Sequence, residues 1–206
     1  MRFLRNHWFD VGMILGAFLV GYLLWSRPVG IELLLWLSLL SLFIHQVEEY
    51  RFPGYFPGMI NSWLFSSQRP ERYPLNSQTS LVVNVGVGWC SYFLAALFGT
   101  DCLWLAIATI LVSVGNIFAH TFVFNRKGKT HYNPGLLTSL VLFLPIAVLF
   151  FTTIIREERA SLVDWIVGIV LGFVLNYIGI VKLIDWMKNE DSPYVFPVRC
   201  MPPDRK

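Results

Sequence analysis

Six long apolar runs divide the chain, and short polar or proline-containing segments separate them. The runs cover residues 11–25, 29–47, 79–98, 102–124, 135–155 and 162–184. A helix needs about 20 mostly apolar residues to cross the roughly 30 Å hydrocarbon core of a bilayer. The chain is therefore predicted to be an all-α membrane protein, a six-transmembrane-helix bundle over residues 1–188. An interfacial aromatic loop at 50–78 and a cytoplasmic tail at 189–206 are predicted to complete it. The tail has four prolines and is expected to pack poorly, although Tyr194-Val195-Phe196-Pro197 could fold back against the cytoplasmic surface of the bundle.

The overall composition excludes an ordinary soluble domain. Hydrophobic residues make up 55% of the chain and charged residues 14%, whereas soluble domains carry about 25% charged residues. The net charge is only +3, and the basic residues do not cluster with aromatic residues, so no nucleic-acid partner is predicted. The three cysteines, Cys90, Cys102 and Cys200, are isolated and follow no zinc or redox spacing.

Basic residues are distributed unevenly between the two ends of the predicted helices. Six spans place the N-terminus, the second and fourth loops and the tail on one side, which carries 13 of the 16 Lys and Arg residues. The opposite side carries Arg27, Arg156 and Arg159. Loops rich in basic residues stay cytoplasmic in membrane proteins. Both termini are therefore predicted to be cytoplasmic, in a multi-pass protein of the inner (cytoplasmic) membrane.

Polar and ionisable side chains concentrate near the cytoplasmic ends of the predicted helices. His45, Glu48 and Glu49 share one helical face at spacing i, i+3, i+4, and Asn116 and His120 share another at i, i+4. Asn84 and His131 are predicted to lie at the same depth, and this layer of polar residues is called the polar slab below. At 1.5 Å per residue, the helical members lie within about 10 Å of that interface. Because ionisable groups are costly in hydrocarbon, their common depth predicts a functional site.

Three short signatures occur in order along the chain. They are His45-Gln46-Val47-Glu48-Glu49, Asn116-Ile117-Phe118-Ala119-His120 and Tyr132-Asn133-Pro134-Gly135. Together they resemble the HXXEE family of multi-helix bacterial membrane proteins, whose motifs are HxxEE, NxxxH and YxPG. The resemblance covers about residues 30 to 140, and all three motifs match without departure. It implies an integral membrane enzyme of unsettled chemistry, so it supports a site at these residues without naming the reaction.

A single metal ion held between two helices is the chemistry that these residues favour. Imidazole and carboxylate at i, i+4 can chelate one ion from a single helical face, as His45 and Glu49 would do. His120 would complete a His₂Glu set and leave one position for water, and His131 is a candidate fourth ligand or second base. The expected cofactor is a divalent metal, with zinc favoured and iron as an alternative.

Other polar residues have predicted roles around such an ion. Glu48 and Glu49 are the candidate catalytic carboxylates, with Glu48 as the base that deprotonates water. Asn116 would orient His120 or bind a developing oxyanion, and Tyr132 would donate a proton to that oxyanion. The candidate substrate-binding residues are Asn84 and Asn133, although an intramembrane asparagine is also typical of helix–helix hydrogen bonding. Metal-dependent hydrolysis is the predicted function.

Three other functions would use the same residues. A metal-free hydrolase would use Glu48 and Glu49 as a carboxylate pair, with His120 as a stabilising group. A di-iron oxidoreductase typically needs about four carboxylates, which is more than this slab supplies. A transporter or proton relay would carry ionisable groups across the bilayer, whereas here they stop on one side.

The aromatic loop at 50–78 suggests the class of substrate. Prolines and glycines prevent a long helix there, and its Tyr, Phe and Trp residues favour the headgroup level of a bilayer. The loop would be either an amphipathic lid beside the site or an interfacial anchor. A lid predicts membrane lipids as partners and an amphiphilic, lipid-like or lipidated molecule as substrate. The sequence indicates no particular oligomeric state.

Overall fold

Helices are the regular elements of the computed structural model, which describes residues 2–205 and has no strand in that range. Six helices are long and apolar enough to cross a membrane. They are α1 (Arg2–Ser26), α2 (Gly30–Tyr50), α4 (Ser77–Phe98), α5 (Leu103–Gly128), α6 (Leu136–Arg156) and α7 (Leu162–Met187). A short helix, α3 (Phe56–Met59), lies between α2 and α4 and continues as a wide turn over Ile60–Leu64. The prediction of an all-helical chain with six such helices is confirmed.

Capping groups set where several of these helices begin. The Asn76 side chain accepts hydrogen bonds from the backbone amides of Gln78 and Thr79, which fixes the start of α4. Ser161 and Asp164 form a reciprocal capping box at the start of α7. Gly135, in a left-handed conformation with φ +102°, directly precedes α6. A backbone angle of this kind is open to glycine at little cost, which explains the residue type at that turn.

Two hydrophobic clusters hold the bundle together, one after the other along its axis. The larger cluster includes Leu35, Ile107 and Phe150 and fills the space between α2, α4, α5 and α6. The smaller cluster joins Trp8 of α1 to Tyr50 at the end of α2 and to the loop and tail residues beyond. The buried histidines of the polar slab contact both clusters: the His45 ring lies against Phe143 of the larger one, and the His120 ring lies against Phe56 and Phe124 of the smaller one.

Two wide, π-helical turns occur where α5 and α6 pass this slab. One covers Ala119–Phe124 in α5, and the other covers Ser139–Phe143 in α6. A π-helical turn adds a residue to a helix and changes the direction of the side chains that follow, and such turns are frequent at functional sites. His120 is the second residue of the turn in α5.

The loop between α2 and α4 is packed as a cap on the bundle. Its α3 helix is buried, and the buried Asn61 side chain donates hydrogen bonds to the carbonyls of Pro70 and Leu75. Asn61 also accepts one from the amide of Leu75. A fully satisfied buried amide holds the two ends of a loop in one geometry. The loop is therefore packed and hydrogen-bonded as an integral part of the fold.

The tail is also packed, as the fold-back at Tyr194–Pro197 predicts and over more of its length than the expectation of poor packing allows. The buried Phe196 donates its amide to the carbonyl of Glu71 at 2.8 Å, and the Arg199 guanidinium donates to the carbonyl of Tyr50 at 2.8 Å. The Arg199 guanidinium also lies over the ring of Phe9 in α1. These contacts place the start of α1, the end of α2 and the tail at the same end of the bundle. Side chains far apart in sequence supply them, so local composition did not reveal them.

Candidate metal centre

Three buried side chains from α2 and α5 converge at the end of the bundle that carries the tail. The Nε2 atom of His45 lies 3.5 Å from Oε1 of Glu49, one turn later in α2. The Nε2 atom of His120 in α5 lies 3.3 Å from the same oxygen. The two imidazole rings are nearly perpendicular, with centroids 5.0 Å apart. One potential ligand atom from each residue lies within 4.8 Å of the others, so this group could hold a metal ion.

The ring of His120 is oriented by Asn133. Its Nδ1 atom lies 2.6 Å from Oδ1 of Asn133. The Asn133 side-chain amine donates to the backbone carbonyl of His120 and to Oδ1 of Asn125, each at 2.8 Å. Since a carbonyl can only accept, these bonds fix which end of the Asn133 amide is the oxygen. Nδ1 of His120 must therefore carry the proton.

The ring of His45 is oriented in the same way by Thr138. Its Nδ1 atom lies 2.8 Å from Oγ1 of Thr138. That hydroxyl lies 2.5 Å from Oε2 of Glu48 and 3.3 Å from the carbonyl of Gly135, both of which are acceptors. The single hydroxyl proton is thus directed away from the imidazole. Nδ1 of His45 must therefore donate to Thr138.

In neutral imidazoles these two bonds leave both Nε2 atoms unprotonated. Each Nε2 then presents a lone pair to the Glu49 carboxylate, which also only accepts. Neither Nε2 atom has a hydrogen-bond partner, although both are buried. Three electron-pair donors therefore meet in a shielded space, an arrangement that is costly unless a cation lies among them.

Two of the three separations within the ligand group, those from Glu49 to each histidine, match tetrahedral coordination. Two ligands bound at about 2.0–2.1 Å with a tetrahedral angle between them lie about 3.3–3.4 Å apart. The separations from Glu49 Oε1 to the two imidazole nitrogens are 3.5 and 3.3 Å. A direct hydrogen bond would be shorter, about 2.7–3.2 Å between nitrogen and oxygen. The residues present thus fit a metal ion better than they fit one another.

Comparison with known proteins supports the assignment suggested by the three motifs. A family model described as a protein of unknown function with an HXXEE motif matches residues 36–150, more than half of the chain. The chain belongs to the HXXEE family. A search of curated proteins and a search of solved structures each found no match. The matched segment contains His45, Glu49, His120 and both residues that orient the histidines.

The two glutamates of the HXXEE motif have different environments in this chain. Glu49 faces the imidazoles, whereas Glu48 points to the start of α6. There the Glu48 carboxylate accepts hydrogen bonds from the Tyr132 hydroxyl (2.9 Å), the Leu137 amide (3.2 Å), and the Thr138 amide (2.9 Å) and hydroxyl. The first amides of a helix lack partners within it, so this carboxylate caps α6.

These bonds bear on the role that the sequence suggested for Glu48. A general base needs a free lone pair near the proton that it removes. Four donors occupy the Glu48 carboxylate, and the histidine nitrogens that face Glu49 do not contact it. Through Thr138 the Glu48 carboxylate is linked to His45, and its predicted role as a base stays a prediction.

Tyr132 also differs from its predicted role as a proton donor to substrate. Its hydroxyl proton is directed to Glu48, and the residue is partly exposed in the turn before α6. Burial, assisted by the hydrogen bond to Glu48, raises the pKa of Tyr132 above its ordinary value. The neutral phenol therefore stays bound to the carboxylate.

His131, predicted as a fourth ligand or second base, is exposed and lies outside the group of convergent ligands. It precedes the turn that brings Asn133 and Gly135 to the histidines. In that short turn Asn133, Pro134 and Gly135 are buried, whereas His131 is left at the surface.

The asparagines are placed differently from the sequence expectation as well. Asn133, a candidate substrate-binding residue, has its side chain committed to His120 and Asn125. Asn116, expected to orient His120, donates instead to the carbonyl of Val112 in its own helix. Asn116 nevertheless lines the cavity that His45 and Glu49 also line, so it is available to a molecule there.

Asn84 links helices and also borders that cavity. It accepts a hydrogen bond from the Gln46 side chain at 3.1 Å and donates to the Ser80 carbonyl at 2.9 Å. Gln46 in turn accepts from the indole of Trp89 at 2.7 Å. The structural role of Asn84 as a link between α2 and α4 is therefore established by its contacts, and its predicted role in substrate binding stays a prediction.

Two residues that fix the geometry have contacts that the sequence did not indicate. Thr138 is an ordinary residue early in α6, yet it orients His45 across 93 positions of sequence. Gly135 lies against both imidazoles, where a Cβ atom would overlap the His120 ring and lie 2.8 Å from Cε1 of His45. The sequence marks Gly135 as part of a turn, but only helix packing shows what it faces.

Proposed function

We propose that this protein is an integral membrane enzyme that binds one divalent cation through His45, Glu49 and His120 and hydrolyses an amphiphilic substrate. The observation that carries the proposal is the convergence of two unpartnered, buried Nε2 atoms on one carboxylate oxygen. Two imidazoles and a carboxylate form a donor set typical of catalytic zinc, which usually retains one open position. Zinc is therefore the favoured ion, and iron is the alternative.

The chain's own residues would hold the ion and limit access to it. Asn133 and Thr138 fix each imidazole in the tautomer that presents Nε2, and such outer contacts strengthen metal binding. A cavity of about 90 Å³ borders His45, Glu49 and Asn116 and has room for water and a small polar group. When bound there, a divalent cation would supply Lewis-acid chemistry, polarising a carbonyl or phosphoryl oxygen and lowering the pKa of water.

The position of Glu49 suggests how proton transfer would be arranged. With Glu48 committed to α6, Glu49 is the carboxylate that borders both the ligand group and the cavity. Its second oxygen would be free to accept a proton from water next to the ion while Oε1 faces the histidines. Asn116 would donate its side-chain amide to developing negative charge on the substrate.

The alternative functions find less support in this arrangement. A metal-free carboxylate pair needs Glu48 and Glu49 side by side with free oxygens, but Glu48 is bonded to four donors. A di-iron centre needs more carboxylates than the one that faces the histidines. In residues 3–204 the buried acidic, basic and histidine side chains are His45, Glu48, Glu49 and His120. All four lie at one end of the bundle, which favours a site over a transport path.

Membrane orientation is part of the proposal. Counted along the sequence, the termini and loops predicted to lie on the same side of the membrane as the site hold 13 of the 16 basic residues of the chain. On the positive-inside rule, the site faces the cytoplasm in the bacterial inner membrane.

Removing the Thr138 hydroxyl while retaining its shape tests whether the outer contacts serve a metal ion. Thr138→Val leaves the Nδ1 proton of His45 without an acceptor, and we expect zinc affinity to fall by about 10- to 100-fold. Competition with a chromogenic chelator in detergent measures this affinity. Thr138→Ser retains the hydroxyl and should bind zinc almost as the wild type does. Equal affinities for the valine and wild-type proteins would contradict a role in metal binding.

Hydrolysis is tested with three chromogenic probes that carry the same palmitoyl or hexadecyl chain but different scissile bonds. They are a p-nitrophenyl ester, a p-nitroanilide and a p-nitrophenyl phosphodiester. We expect the zinc-loaded protein to cleave at least one probe, the activity to vanish on chelation, and zinc to restore it. His120→Ala supplies the background rate. Cleavage of all three probes at no more than that background would overturn the assignment as a hydrolase.

A further inference from the structure

An apolar groove of about 400 Å³ runs along the surface of the bundle between α5 and α7. Its lining includes Val123 of α5 and Phe173, Tyr177 and Val181 of α7, and the last three are exposed. Residues 173–184 of α7 cover about 16 Å at 1.5 Å per residue. Both helices belong to the predicted membrane spans, so the groove opens sideways toward lipid.

The groove adjoins the cavity beside the metal centre. Phe56, Ile60, Asn116, Ile180 and Ile184 line both spaces. The groove is mostly apolar, with Asn116 and Asn176 as its amide side chains, whereas the wall of the cavity also has the polar side chains of His45, Glu49, Gln46 and Asn84. The lining of the two connected spaces is therefore apolar at the lipid-facing surface and becomes more polar toward the ligand group.

This gradient matches a molecule with a hydrocarbon chain and a polar end. An apolar protein cavity of about 150 Å³ already holds a benzene molecule, so the groove has room for a segment of an alkyl chain. The small cavity admits only a compact polar group. Phe56 lies at the junction, with its ring centroid 5.6 Å from that of His120.

We infer that the groove between α5 and α7 binds one hydrocarbon chain of a membrane amphiphile, which reaches the site sideways from the bilayer. The chain lies along Phe173, Tyr177 and Val181, and the polar end passes Phe56 into the cavity next to Glu49. The fate of that polar end rests on the proposed function, whereas binding of the chain does not. The least buried of the six long helices, α7, forms the outer wall of this route.

A substitution that fills the groove tests the inference. In Val181→Trp a bulky side chain would occupy the space of the chain, and overpacking of this kind is expected to weaken binding by about tenfold. Val170→Trp is the matched control, because Val170 lies on the same helix, is 59% exposed against 53% for Val181, and does not line the groove. Both changes are at lipid-facing positions, so neither should disturb folding.

The probe is a palmitic acid analogue with a diazirine on its chain, incorporated into nanodiscs that contain the full-length protein. After irradiation, mass spectrometry should locate adducts on the α5 and α7 segments that line the groove. Labelling there should fall about tenfold in Val181→Trp and persist in Val170→Trp. Adducts spread evenly over the lipid-facing helices, or equal labelling of the two variants, would overturn the inference.

Zinc content is measured on the same samples, which separates this inference from the proposed function. Specific groove labelling in a wild-type protein that binds no zinc would overturn the metal centre and support the chain site. Zinc-loaded protein without preferential groove labelling would support the metal centre and overturn the chain site.

Discussion

His45→Ala and His120→Ala are each expected to abolish stoichiometric zinc binding, the largest single effect predicted for this protein. Each change removes one of three ligands, and the nearest unused histidine is on the exposed surface. The loss should exceed the roughly 10- to 100-fold decrease typical when an outer contact is removed. Elemental analysis of detergent-purified protein, after growth with added zinc, measures the metal content per chain.

His131→Ala is the matched control, since it removes the same side chain from an exposed position outside the ligand group. It should retain the full metal content. Circular dichroism and gel filtration show whether each variant is folded, because the alanine changes remove one buried hydrogen-bond partner from Thr138 or Asn133. Folded His45→Ala and His120→Ala proteins that keep their zinc would refute the proposed centre, as would a metal-free wild type.

Gly135→Ala is expected to disable the site although it changes neither a ligand nor a hydrogen-bonding group. The added methyl group would overlap the His120 ring and press against His45, so the two imidazoles could not keep their positions. The left-handed backbone, with φ +102°, adds a conformational cost of about 1–2 kcal/mol for a residue with a Cβ atom. We expect loss of zinc binding and a lower unfolding temperature.

Gly30→Ala separates the backbone effect from the contact effect. Gly30 also has a left-handed conformation, with φ +59°, but a Cβ atom there would meet nothing within 4 Å. Its substitution should lower stability by a similar backbone term and leave zinc binding unchanged. Zinc affinity in Gly135→Ala equal to that in Gly30→Ala would show that close approach to the histidines is unimportant.

Part of the site was predictable because it depends on spacing within one helix. His45 and Glu49 are four residues apart in α2, so their side chains meet whatever the rest of the chain does. The depth of His120 followed from counting residues from the end of its predicted span. The direction of His120 toward α2 could not be predicted in this way, because it depends on how α5 packs and on its wide turn at Ala119–Phe124.

The outer contacts were beyond prediction from one sequence. Glu48 neighbours Glu49 in the motif, and its chemistry alone suggests a base as readily as a helix cap. Thr138, 90 residues away, favours the cap by donating both its amide and its hydroxyl to Glu48. The packing of the tail beyond Pro197 was underestimated for a similar reason, because Arg199 contacts Tyr50 and Phe9, which are far away in the sequence.

Length and hydropathy along the chain were enough to predict the helical class, the number of long helices and the end of the bundle at which ionisable groups lie. A bilayer imposes these properties on a chain through length and hydropathy, which are local quantities. Tertiary structure alone decided which glutamate faces the histidines, which tautomers they adopt and where a hydrocarbon chain can approach. Those properties depend on contacts between different helices, and no periodicity within a single helix records them.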